Sequence, residues 1–419
     1  MANPSGGSYR EVLSRHAARH LLAAAGLARL SMGMVGLALV LSVREATGSF
    51  AAAGFAAGAF ALTAGVLAAV RGRLIDLKGH RRGLWVLGAG YALVGCVLLV
   101  LVITAQNPVA LIAASGMLGA VAPPVSAATR TAWADMVGRG PLLSTALSLD
   151  TVTEELLSLV GPVITGFLAA TGSPVIALTV AIGLEVLAVG LFPGGSMRTA
   201  AAPTTTTGRE GRRLHSSLRV LIAAGPALVP LLAVGIGFGI LDVAVPALAL
   251  QHGGTASAGW MLALLPAGST LGGLFYGHRT WSSPLAKRYR WLCLMLAVGF
   301  APLPLMAWEP SALPLLFVAG LVVAPTVVTC YLLVDEVTPD GRKTEAATWV
   351  STFNNTGTAA GSALSGALVA GFPLVVVFTL PAVAVTATTL GMVLWQWHPA
   401  RSGAASGSVV RPVRVPRRH

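Results

Sequence analysis

Apolar runs of about 20 residues recur along this entire sequence, and that is the length a helix needs to cross the hydrocarbon core of a bilayer. They fall at roughly 21–43, 51–70, 83–104, 108–132, 146–170, 174–192, 220–249, 256–277, 290–308, 312–334, 345–370 and 373–397. With 419 residues and a mean hydropathy of +0.78, the chain carries more apolar side chains than a soluble domain can bury. Backbone polar groups in lipid must find partners within the protein, so each run is expected to be a helix. The expected fold class is therefore an all-α integral membrane protein with twelve transmembrane helices. Gly and Pro inside the runs are tolerated as packing and kink sites. The first run follows Arg10, Arg15 and Arg19. It is longer than the core of a signal peptide, about 7 to 15 residues, and reads as a first span.

The formal charge of +13 does not point to nucleic acid, because the charges sit in short segments between apolar runs and form no basic face on a soluble domain. The basicity reads as topology. With the N-terminus in the cytoplasm, all Lys and Arg except Arg29, Arg44 and Arg130 fall on that side, so a multi-pass protein of the inner membrane with both termini cytoplasmic is expected. The longest connection, "PGGSMRTAAAPTTTTGREGRRLHSS", lacks apolar periodicity and is rich in Pro, Thr and Gly. It divides the chain into an N-terminal tail (1–20), a six-helix bundle (21–192), a linker (193–219), a second six-helix bundle (220–397) and a basic tail (398–419). A shift of 200 positions lays Thr129 on Thr329, Asp135 on Asp335, Gly161 on Gly361 and Gly166 on Gly366, and a shift of 205 lays Gly54 on Gly259 and Gly72 on Gly277. The second half repeats the first. Cys96, Cys293 and Cys330 lie in apolar runs without paired spacing and read as small core residues, giving neither a disulfide framework nor a zinc site.

After the second run comes "RGRLIDLKGHRR", in which Gly72, Asp76, Gly79, Arg81 and Arg82 follow a set spacing. A glycine at a helix end admits a close neighbour, a carboxylate can sit against the positive end of another helix, and a basic pair can meet nearby acids. This pattern resembles the loop signature between spans 2 and 3 of the major facilitator superfamily, and the twelve runs and central linker extend the resemblance over nearly the whole chain. The resemblance implies two pseudo-symmetric bundles that transport a small molecule by alternating access. It also implies that Asp76 meets the start of span 11, near Thr344, and that Asp135 at the end of span 4 partners a loop arginine. The chain departs from the pattern in places. Trp281 stands where the second half would repeat the aspartate. "GPVITG" in span 5 (Gly161, Pro162, Gly166) resembles part of the helix-packing signature of drug/proton antiporters, with Leu157 in place of a glycine; Ser115 stands where such exporters often carry an arginine.

Ionisable residues inside spans are costly and are functional candidates by default. Arg130, Asp150 and Glu185 lie close enough to span ends to be read as snorkelling or pairing with loops. Arg29 and Glu155 share a depth of about 13 Å, so Arg29 is expected to pair with Glu155 or Glu154, as a structural ion pair or a coupling site. Asp242, in "GFGILDVAVP", has no basic residue at its depth in its own half and is the leading candidate for binding a proton. Trp349, Phe353, Asn354 and Asn355 in span 11 are candidates for a substrate cavity, with interhelical hydrogen bonding and core packing as the other reading.

No phosphate-binding, metalloprotease or nucleophile-elbow motif occurs, so an enzyme is not expected, nor a cofactor or catalytic metal. The expectation is a monomer that moves a small organic molecule, coupled to protons and directed outward. An importer or facilitator is the alternative, and a non-transporting receptor or scaffold a third.

Overall fold

The computed structural model describes residues 14, 16–104, 107–137, 141–192, 210–252, 254–279, 281–307, 313–338 and 343–397, among which there is no β-strand. The helices of the first half are α1 (His16–Thr47), α2 (Phe50–Val66), α3 (Ala68–Lys78), α4 (His80–Thr104), α5 (Pro108–Val121), α6 (Val125–Val137), α7 (Pro141–Thr171) and α8 (Pro174–Leu191). Those of the second are α9 (Glu210–His252), α10 (Gly254–His278), α11 (Leu285–Phe300), α12 (Pro314–Val337), α13 (Lys343–Val369) and α14 (Leu374–Trp397), with a short 3-10 helix at Leu303–Ala307. Helix starts follow local chemistry. Asn107 and Ser173 accept hydrogen bonds from the first free N–H groups of α5 and α8, and each is followed by a proline at the first helical position.

Among the described residues, eight helices are long and apolar enough to cross a membrane. Phe50–Val66, Pro108–Val121 and Leu156–Thr171 are shorter apolar stretches. α13 is in neither group, since Ser351, Thr352, Asn354, Asn355, Thr356 and Thr358 crowd two of its turns. The second expected run is divided into α2 and α3 at Leu67, and the fourth into α5 and α6 at Pro123 and Pro124, which cannot donate the next helical hydrogen bonds.

The outer surface is apolar, with Leu93, Val100 and Ile103 of α4 and Val298 of α11 exposed, as suits a lipid-facing wall. Cys96 is exposed on α4 rather than in the core, while Cys293 and Cys330 are buried. A thiol on a lipid-facing wall is as well accommodated as one inside.

The larger core clusters are each built mainly, though not wholly, by one half of the chain. Leu228, Val234, Phe300 and Phe378 belong to one cluster, and Met34, Leu39, Tyr91 and Leu178 to another. α9 packs most extensively on α13, and α1 on α8. The two halves meet where α2 lies on α13 and α7 on α10. At both places glycine allows backbones to touch. A Cβ on Gly54 would stand 2.6 Å from the Gly366 Cα, and one on Gly166 would stand 2.9 Å from the Gly259 Cα. These two contacts exchange under the sequence repeat, which lays Gly54 on Gly259 and Gly166 on Gly366. The interface is thus pseudo-twofold.

Both contacts lie near the end of the molecule that carries the short turns at Gly48, Gly172 and Gly371. The opposite end carries the exposed Arg73, Lys78, Arg81, Arg82, Arg279 and Lys287. At this basic end α3 packs chiefly on α4 and α2, not on α13. Among the described residues, the glycine contacts between the halves thus gather towards the turn end.

Candidate substrate cavity and its charged neighbours

A cavity of about 190 Å³ lies between the halves, bounded by α1, α7, α9, α10 and α12. Its walls include Met32, Gly36, Pro162, Phe238, Met261, Leu262 and Leu316, and among the described residues its single ionisable lining residue is Asp242. No hydrogen bond or ion pair engages the Asp242 carboxylate among the described residues. The sequence around it adds acceptor character. Pro246, one turn on, has no N–H to give the Asp242 carbonyl, and Pro266 likewise leaves the Leu262 carbonyl without its helical donor. Gly33 lets α1 approach α7 closely, with the Cβ position of Gly161 2.7 Å from the Gly33 backbone. That contact forms one side of the cavity.

Below the cavity, towards the basic end, Arg29 pairs with Asp150. Its guanidinium makes a two-pronged contact, Nη1 to Oδ1 at 3.0 Å and Nη2 to Oδ2 at 2.7 Å, and also donates to the Asp150 backbone carbonyl at 2.9 Å. The Trp133 indole N–H donates to Asp150 Oδ1 at 3.2 Å. Arg29 and Asp150 are 2% and 1% exposed. This corrects the reading of Asp150 as a loop-pairing residue near a span end. α7 begins at Pro141 rather than near 146, so Asp150 lies almost three turns inside it. Glu154, one turn further, is 3.5 Å from Arg29 and 32% exposed, a weaker second partner. The Glu155 side chain lies outside the described residues.

The four α13 candidates face elsewhere. Trp349 and Phe353 meet edge to face, centroids 6.4 Å apart, and pack on the core of the second half. The Asn354 backbone abuts Gly235 of α9, and the Asn355 side chain abuts Gly65 of α2. None of the four lines the cavity at Asp242. In the loop signature, Gly79 adopts a φ of 79°, a conformation that favours glycine and turns the chain from α3 into α4. The side chains of Asp76, Arg130 and Asp135 lie outside the described residues. In the second half, Trp281 stacks on Tyr276 with centroids 5.0 Å apart, and Arg279 and Arg288 lie over its ring. The position that repeats Asp76 thus holds an aromatic platform for cations.

Three buried polar groups were not legible as such. Glu185 is 2% exposed, far from the snorkelling expected of it, and its Oε2 has no hydrogen-bond partner among the described residues; neither has the hydroxyl of the fully buried Tyr91. The signal was present in the apolar residues at every helical neighbour of Glu185, namely Ala181, Ile182, Ala188 and Val189. Arg71, counted among the loop cations, is buried and donates to the carbonyls of Gly119 and Ala64, the two acceptors freed by the breaks in α5/α6 and α2/α3.

Residues 21–347 match the family described as Major Facilitator Superfamily. No curated protein matches. Among solved structures, the nucleoside transporter NupG is similar with a TM-score of 0.71 at 13% identity, over 92% of this chain and 100% of that one. A D-xylose–proton symporter gives 0.67 at 14% identity, over 89% and 97%. A bacterial homologue of the iron transporter ferroportin, in an inward-facing state, gives 0.68 at 13%, over 93% and 100%.

Proposed function

The chain belongs to the major facilitator superfamily, and we propose that it is a proton-coupled exporter of a small organic molecule, with Asp242 as the proton-binding carboxylate. The observation that carries this reading is one carboxylate, without a cation beside it, in an otherwise apolar cavity between two halves of the molecule. Neutralising a charge in such surroundings is strongly favourable, and a proton is the simplest neutraliser. Residues 21–192 and 220–397 are the two moving bundles, joined by the linker 193–219, and the protein works as a monomer in the inner membrane. The basic end, away from the glycine contacts, faces the cytoplasm, in keeping with its arginines and lysines, and we read this conformation as inward-open. Outward direction accords with the weakly polar cavity. Import is the second reading, favoured by the likeness to a D-xylose–proton symporter.

The test begins by screening cells that overproduce the chain for resistance and metabolite release. The substrate found is then followed in proteoliposomes with an imposed pH gradient. Wild type accumulates it uphill, whereas Asp242→Asn only equilibrates it. Uphill accumulation by Asp242→Asn, or wild-type accumulation indifferent to the gradient, rejects the coupling.

A further inference from the structure

The walls of the Asp242 cavity also define what chemistry belongs inside it. An anion would meet the carboxylate, and a sugar or nucleoside would leave its hydroxyls facing Met32, Phe238, Met261, Leu262 and Leu316, side chains that offer no strong hydrogen bond. A hydrocarbon alone would leave the carboxylate uncompensated. The remaining class combines an apolar body with one positive charge. The backbone supports the same sign, because the Asp242 and Leu262 carbonyls, both on lining residues, lack the helical N–H that Pro246 and Pro266 cannot supply. The size is also bounded, since a cavity of about 150 Å³ suffices for benzene and this one is about 190 Å³. A ring and a small ammonium group fill it.

We propose that the cavity receives a small apolar monocation, an amine or quaternary ammonium on a ring-sized hydrocarbon body, with the Asp242 carboxylate as its counter-charge. This rests on the reading of the cavity as the transport site. Proton and cation compete for one carboxylate, so affinity for the cation falls as the pH is lowered. Few other described charges face it. On α1 and α7 towards the basic end these are Arg29, Asp150 and Glu154, already engaged with one another, the Glu155 side chain lying outside the described residues, and on α10 and α12 Tyr276, His278, Tyr331, Asp335 and Glu336 lie towards the basic end. Within Phe50–Val66 of α2, residues 349–369 of α13 and 374–394 of α14 there is no ionisable side chain.

The experiment is equilibrium binding of benzyltrimethylammonium to the purified full-length protein at pH 5.5 and 8. Neopentylbenzene, in which carbon replaces the nitrogen, is the neutral control and benzenesulfonate the anionic one. The cation binds, at least tenfold more weakly at the lower pH, and the controls do not. Asp242→Asn loses at least tenfold in affinity and Asp242→Glu regains most of it. Gly36→Leu guards against misfolding as the cause: a Cβ at Gly36 meets nothing within 4 Å, so a side chain there enters the cavity without a clash at its base. It abolishes binding while the thermal transition is kept. Equal binding of the neutral isostere, binding of the anion, or unchanged affinity in Asp242→Asn overturns the proposal. Asp242-dependent binding of the cation without proton-coupled flux would uphold it and reject the coupling. Asp242-dependent, pH-driven flux of another substrate with no cation bound would do the reverse.

Discussion

Arg29 and Asp150 bury a full positive and a full negative charge at one depth, and the two-pronged geometry with a third bond from Trp133 is what makes that tolerable. Removing one partner leaves the other uncompensated. Arg29→Met is therefore expected to destabilise the protein by about 3 to 5 kcal/mol, read as a lowered unfolding transition in detergent. Adding Asp150→Leu to Arg29→Met should restore part of that loss, because an apolar pair needs no counter-charge. A double variant less stable than the single one would mean that Glu154, rather than Asp150, balances the arginine. That Arg29 would need an acid from the fifth span was legible in the sequence, since a charge in an apolar run demands a partner. Which acid it takes was not, because the choice depends on where α7 begins, and the mixed residues 141–145, Pro-Leu-Leu-Ser-Thr, do not mark a helix start by hydropathy. Glu185 fell to the same uncertainty, as distance from the end of an apolar run is a poor measure of depth once the helix packs on three others.

At the scale of elements, the breaks at Leu67 and at Pro123 and Pro124 leave carbonyls exposed inside the bundle, and one arginine serves both. Arg71 of α3 reaches back across the first break to Ala64 of α2 and also to Gly119 of α5, just before the second, tying α2, α3 and α5 together. A planar guanidinium with several divergent N–H groups can span two acceptors, whereas an ammonium is a compact point charge. Arg71→Met should cost about 1 to 3 kcal/mol for each buried acceptor left unsatisfied. Arg71→Lys should recover only part of it. Hydrogen exchange near residues 64–71 and 117–124 is the sensitive measurement, and unchanged protection in Arg71→Met would show that the carbonyls find other donors. The prolines announced the break in the fourth run. The kink at Leu67 had no such signal, and without it Arg71 reads as one more cytoplasmic cation. Close helix contacts were easier to foresee: Gly235 and Gly239 of α9, four residues apart, admit the α13 backbone so closely that a Cβ on Gly239 would stand 2.0 Å from the Thr358 carbonyl oxygen.

Over the whole molecule, the sequence repeat and the pseudo-twofold contacts are one fact seen twice, since glycines matched along the chain are the ones that meet across the interface. The repeat therefore exposed the closing surface of the turn end. It said nothing about which of the alternative closures the structure adopts, because both closures use the same sequence. This has a consequence for Asp76. α3 packs chiefly on α4 and α2, and we infer that the contact expected between Asp76 and the start of α13 belongs to the opposite state, in which the basic end closes. A carboxylate at a helix N-terminus is worth roughly 0.3 to 1 kcal/mol when exposed and up to about 2 when partly buried, so Asp76→Asn should shift the equilibrium toward the conformation described here by about twofold to thirtyfold. The sign follows from which state loses the interaction. Met32→Cys, at an exposed position on the cavity wall in a background freed of Cys96, Cys293 and Cys330, gives a readout with a membrane-impermeant maleimide. In Asp76→Asn, labelling from the basic end should rise and labelling from the turn end should fall. Equal labelling with and without the substitution would show that Asp76 belongs only to a topogenic basic loop, and that other residues hold the basic end closed.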